Sequence, residues 1–120
     1  MKPVVWIGSS LDDLKDFPES ARRSAGHQLG RVQRGRLPDD WKPMSAIGVG
    51  VCEFRIFDLA GAFRVVYFAR FGNAIYVLHA FQKKSKKGIA TPKHEIELIK
   101  ARFKRAENHY RALHTKGTGP

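Results

Sequence analysis

Two hydrophobic periods divide the chain. Between Glu19 and about Arg34 the apolar residues Ala21, Ala25, Leu29 and Val32 recur at i, i+4, i+8 and i+11, which predicts a helix with one buried face. Arg23, His27, Arg31 and Arg34 repeat that spacing two residues later, about 200° round the axis, so a basic stripe lies opposite the apolar one. Gly35 stops this helix. Ahead of it, Val4 to Ile7 (VVWI) reads as a first strand. Leu11, Leu14 and Phe17 form one face of a short helix with Ser9 or Ser10 as N-cap, Asp12 and Asp13 in the first turn, and Pro18 at its end. From Val51 to Gln82 the period falls to two. The runs VCEFRIFD, AFRVVYFARF and AIYVLHAFQ, parted by turns at DLAG and Gly72-Asn73, predict an antiparallel meander.

The remaining stretches connect these elements. Leu37 to Gly50 carries two prolines and two glycines and reads as an ordered loop, pinned to the body by Trp41. Thr91-Pro92 predicts a helix start, with an N-cap hydroxyl and Pro at the first helical position. Ile96, Ile99, Phe103, Ala106, Tyr110 and Leu113 follow at alternating steps of three and four. The tail, HTKGTGP, is expected to fray. The fold class is therefore α+β: two N-terminal helices on a mostly antiparallel sheet of about four strands, with a C-terminal helix. One domain is expected over residues 1–114, followed by a flexible tail at 115–120.

Two-residue loops at Leu59-Ala60 and Gly72-Asn73 would fix the strand register. Arg55 then faces Arg64, Arg64 faces Phe81, and Val66 faces His79. One sheet face would carry Cys52, Phe54, Ile56, Phe63, Val65, Tyr67, Tyr76, Leu78 and Ala80, an apolar set expected under the two N-terminal helices. Cys52 reads there as a small buried hydrophobe. The other face would carry Glu53, Arg55, Phe57, Arg64, Val66, Phe68, His79, Phe81 and Lys83. Two arginines directly opposed on one face repel, an arrangement explained if an anion sits between them, since paired guanidinium forks suit a phosphate. Lys83, His79 and Glu53 converge on the same surface.

Charge sharpens this reading. Twenty-two Lys and Arg against eleven Asp and Glu give +11 and a pI near 10.2, the balance of a domain that meets a polyanion. Lys83, Lys84, Lys86 and Lys87 crowd the segment after the last strand, and Arg70 adds to the basic surface. The single cysteine excludes an internal disulfide framework and no Cys/His spacing resembles a zinc site. The N-terminus is too poor in apolar residues for a signal peptide, and no apolar run reaches the roughly 20 residues of a membrane span. A cytoplasmic protein without membrane contact is expected.

The segments FRVVYFAR and YVLHAFQKKSKKGIATPKHEIELIKARF resemble the RelE/ParE superfamily of toxins from type II toxin–antitoxin modules, most of all its HigB-like, phage-derived branch. The likeness runs from Val4 to about Tyr110 and is most specific at Leu78–Lys84 (LHxFxKK) followed by Thr91-Pro92. It implies a microbial-RNase-type fold and a ribosome-dependent mRNA endonuclease that uses neither metal nor cofactor. In such enzymes the RNA 2′-hydroxyl attacks the adjacent phosphate. By position, Arg64 matches the family arginine on the scissile phosphate and Arg55 a basic residue on the preceding strand. Lys83 and Lys84 match basic residues after the last strand. The expected catalytic set is Arg64, Arg55, His79 and Glu53, with Lys83, Lys84, Lys86, Lys87 and Arg70 on RNA. Expected partners are a helix-turn-helix antitoxin, mRNA and the ribosome, and promoter DNA through the antitoxin complex. Two departures stand out. Glu53 lies where some relatives carry lysine, and His109, Tyr110 and His114 lie far along the last helix. Two rival readings remain: a ParE-like toxin that binds DNA gyrase, and an inactive phage-derived nucleic-acid-binding regulator.

Overall fold

The computed structural model describes residues 1–83 and 91–117, the side chains of 114–117 excepted. The chain order is β1 (Val4–Trp6), α1 (Ser10–Lys15), α2 (Glu19–Gln33), β2 (Trp41–Pro43), β3 (Val51–Asp58), β4 (Gly61–Phe68), β5 (Ile75–Lys83) and α3 (Lys93–Gly117). One sheet holds all five strands in the order β1-β5-β4-β3-β2. β1 runs parallel to β5, and the other pairings are antiparallel. The α+β architecture agrees with the sequence, with one strand more than expected. The backbone of α3 continues through Gly117, past the expected domain end, while residues 118–120 lie outside those described.

The extra strand is β2, within the stretch that read as a loop. Its prolines argued against a strand, but Pro43 lies on the sheet edge, where a missing N–H breaks no ladder. Lys42 pairs with Glu53 there, and Trp41 with Phe54. Trp41 does not pin the segment to the body: it is 37% exposed. Backbone pairing does that work, through β2 and through the Arg55 amide donating to the Asp40 carbonyl at 2.8 Å.

The hairpin β3–β4 has the expected register. Asp58 pairs with Gly61 and Arg55 with Arg64. Gly61 turns the corner at φ +130°, where a side chain would be strained. Between β4 and β5 the expected pairs hold from Ala62–Lys83 to Val66–His79, and then the register slips so that Tyr67 pairs with Val77. Leu78 is thus an extra residue, a bulge. Gly72-Asn73 does form a turn, with the Ala74 amide bonded to the Phe71 carbonyl at 3.3 Å, but the ladder stops short of it.

The slip corrects the expected faces. Tyr76 and Leu78 move off the face of the N-terminal helices, and Ile75 and Val77 take their places. One core then joins Leu14 and Phe17 of α1 and Ala21, Ala25, Leu29 and Val32 of α2 to Phe54, Phe63, Val65, Val77 and Ala80. Cys52 is only partly buried beside it. A second core, on the opposite face, joins Val51, Val66, Phe68, Tyr76 and Leu78 to Ile99 and Ala106 of α3. Phe71 stacks there on Tyr110 at 4.8 Å. The polar face is consequently half-covered by α3 and not open throughout. Leu113, at the end of the predicted stripe, is exposed.

The two-core arrangement sets an expected coupling. Leu78→Ala and Ile99→Ala should each cost about 2–5 kcal/mol. The pair should be non-additive in urea denaturation, whereas Leu78→Ala with Leu29→Ala should add.

Candidate functional site

The uncovered part of the polar face can be read as rows across the strands, about 6.6 Å apart along each strand, with strands about 4.8 Å apart. The outermost row is Phe57–Ala62–Lys83, the next Arg55–Arg64–Phe81, and the third Lys42–Glu53–Val66–His79. Arg55 and Arg64 are therefore neighbours on one face. Each has a carboxylate. Arg55 donates to Asp40 Oδ1 from Nη2 at 2.9 Å and from Nε at 3.3 Å. Arg64 is buried at 2% exposure, and Glu53 is fully buried. Arg64 Nη1 lies 3.3 Å from Glu53 Oε1 and donates to Thr91 Oγ1 at 3.2 Å. Lys42 Nζ stands 3.5 Å from the same Glu53 oxygen.

Lys83 completes the group. Its pKa is pushed below the ordinary lysine value by desolvation and by the positive Arg64, Lys42 and Arg55, with Glu53 acting the other way. Arg64, Arg55, Glu53 and Lys83 are thus brought together as expected, and Lys42 joins them. Sequence reasoning missed Lys42 and Asp40 because both lie in the proline-flanked stretch. It assigned Thr91 to capping, yet the Thr91 hydroxyl turns to Arg64 and α3 begins at Lys93.

His79 is drawn elsewhere. Its ring is buried, stacked on Phe81 at 4.8 Å, with Nε2 bonded to Glu95 of α3 and Nδ1 3.2 Å from Arg102 Nη1. Arginine can only donate, so Nδ1 accepts and Nε2 carries the proton. That neutral tautomer agrees with a pKa held below the ordinary value of 6.5, where burial outweighs the Glu95 carboxylate. Arg102 also donates to the Leu78 carbonyl at 3.0 Å and to Ser9 Oγ at 2.8 Å. Ser9 in turn donates to Asp13 at 2.7 Å. A cleft of about 410 Å³ between α1 and β5 reaches His79 from the side of Asp13, Asp16 and Gln82. Among the described residues, Glu95 and Arg102 are the partners that α3 supplies to this imidazole, and neither has a sequence signal beyond helical position.

Arg70 lies apart from the cation group. It is exposed and lines a small apolar cleft with Trp41, Cys52 and Tyr67 near the opposite end of β3. Lys84, Lys86 and Lys87 lie outside the described residues. No helix among the described residues is long and apolar enough to cross a membrane.

Residues 12–104 match the family model described as phage derived protein Gp49-like. The chain belongs to that family. The Gp49-like proteins are a RelE/HigB-like toxin family, so the match is consistent with the toxin of a toxin–antitoxin module. The matched span takes in most of α1, all of α2, the meander and the N-terminal half of α3, and hence every residue of the cation group. No curated protein matches the chain.

Two outcomes are expected from this geometry. Removing Arg64 leaves Glu53 buried with one partner fewer, so Arg64→Ala should cost about 3–5 kcal/mol, and adding Glu53→Gln should recover part of it in denaturant titrations. Because the folded pKa of His79 lies below its unfolded value, its contribution to stability is complete above about pH 6.5 and lost as pH falls below that toward the folded value. The denaturation midpoint of the native chain should therefore drop between pH 7.5 and pH 5, and that drop should shrink in His79→Gln.

Proposed function

We propose that this member of the Gp49-like family is the toxin of a type II toxin–antitoxin module and acts as an endoribonuclease on messages at the ribosome, restrained by a helix-turn-helix antitoxin. The observation that carries the reading is the convergence of Lys42, Arg55, Arg64 and Lys83 around the Glu53 carboxylate on one sheet face. Four cations face two carboxylates there, so the patch keeps a positive excess suited to a phosphodiester.

The chemistry follows from the rows. A phosphate entering over Arg55 and Lys83 would meet the two half-buried cations first, with the Arg64 guanidinium behind them. Charge that builds on the phosphoryl oxygens during attack by the 2′-oxygen would be stabilised by these preorganised donors. Asp40, the part-exposed carboxylate on Arg55, is the group placed to take the 2′-hydroxyl proton. Glu53, fully buried against Arg64 and Lys42, was expected to share in proton transfer and instead holds the fork in place. Lys83, with its lowered pKa, is the group suited to return a proton to the departing 5′-oxygen. The P–O5′ bond breaks as the P–O2′ bond forms, leaving a cyclic phosphate and a 5′-hydroxyl. His79, enclosed by Glu95 and Arg102, serves in this scheme to position α3 and Phe81, not to exchange protons with RNA.

Expression in a bacterial host should arrest growth and produce new 5′ ends in messages, read by primer extension. Arg64→Lys, which keeps the charge toward Glu53 but loses the fork, and Arg55→Gln should each lower cleavage by about 10²–10³-fold. Growth arrest without new ends, together with inhibited DNA supercoiling, would replace this reading with the gyrase-binding one.

A further inference from the structure

The outer row of the polar face holds a residue that neither the fold nor the phosphate chemistry uses. Phe57 is 70% exposed on β3. It sits two residues along the same face from Arg55, in one row with Ala62 and Lys83. On the same strand Phe54 and Ile56 turn to the opposite face and are buried, so Phe57 is the aromatic that β3 presents to solvent. A phenylalanine left in water forgoes the stabilisation of burial. Ala62, its direct partner on β4, is too small to cover it.

We infer that Phe57 is a stacking platform for an unpaired base of single-stranded RNA whose backbone runs over Arg55 and Lys83. This deepens the proposed function and rests on it for the class of ligand. Charge complementarity and geometry together favour this occupant. An aromatic face beside a cationic track is how proteins hold single strands without reading sequence, since every base offers a π-face. Spacing allows both contacts at once: Phe57 and Lys83 stand two strand widths apart, about 10 Å, with Arg55 one residue pair behind. A protein partner seated on Phe57 and the neighbouring Leu59, itself fully exposed, would be the competing use of this surface. The nucleic-acid strand is favoured because the ring lies beside the cations that would hold its backbone.

The test is equilibrium binding of the full chain to a labelled single-stranded RNA of about ten nucleotides, made uncleavable by 2′-O-methyl groups, and to inorganic polyphosphate of equal charge. Stacking is worth about 1–3 kcal/mol per base, so Phe57→Ala should weaken RNA binding about 5- to 150-fold and leave polyphosphate binding within twofold. Phe57→Trp should restore RNA binding, and Phe57→Leu, which keeps apolar area but no ring, should not. Equal RNA affinity for native chain and Phe57→Ala, or equal losses on RNA and polyphosphate, would overturn the platform while leaving the endonuclease reading intact. So would a Phe57→Ala chain with unchanged RNA affinity but weakened antitoxin binding, which would assign the patch to the protein partner. A native chain that binds neither polymer would remove both inferences together.

Discussion

The guanidinium of Arg102 holds the two halves of this fold together. Leu78 is the extra residue of β5, without a partner in the β4 ladder, and a buried carbonyl there needs a donor. Arg102 supplies it from α3, and in the same reach binds Ser9 at the start of α1 and the ring of His79. Burying arginine is costly, and desolvation lowers even its high pKa; charged hydrogen bonds to three acceptors offset that cost. The approach also explains Gly8. Its φ of +59° favours glycine, and a Cβ there would stand 2.8 Å from Arg102 Nε. Sheet, first helix and last helix thus meet at one side chain.

The position of α3 then determines what the polar face can be. Docked through Arg102, the helix buries Tyr76, Leu78 and Ile99 and brings its first turn down beside the sheet. Glu95 reaches His79 there, and Thr91, just before the helix, reaches Arg64. The aromatic pair His79–Phe81 and the ion pair Arg64–Glu53 are accordingly held from above as well as from the strands. Without the bulge, Tyr76 and Leu78 would trade faces with Ile75 and Val77, and α3 would lose the two side chains on which it packs. The cation group is therefore built on the same constraint that closes the second core.

How far sequence alone could reach follows from where each signal resides. The α2 stripe was legible because its four apolar residues are all buried at helical spacing, and the Arg55–Arg64 pairing because a two-residue loop at Leu59-Ala60 leaves one register. The bulge was not legible. Ile75, Tyr76, Val77 and Leu78 are all apolar, so a one-residue slip leaves the pattern of a strand buried on both faces unchanged. β2 was hidden by its prolines, and with it Lys42. Glu95 and Arg102 looked like ordinary polar positions on a surface helix, because what distinguishes them is the strand residue each meets, more than fifteen positions earlier in the chain. The tight part of the site was thus readable where it lies within one hairpin and unreadable where α3 and the edge strand contribute.

The opposed arginines also show how charge is divided across the face. Directly facing like charges destabilise a sheet, and the protein answers with its own anions, Glu53 against Arg64 and Asp40 against Arg55. The two compensations differ in kind. Glu53 and Arg64 are almost completely removed from water, where an ion pair fixes geometry and adds little net stability. Arg55 and Asp40 keep about a third of their side-chain surface, so their attraction is weakened by solvent and salt. Lys83 stands near these cations, with the shared Glu53 acting against them. The buried pair is hence suited to placing a fork that cannot move. The outer cations carry the uncompensated field, and it is that field, on the side of Phe57, which an incoming polyanion would meet first.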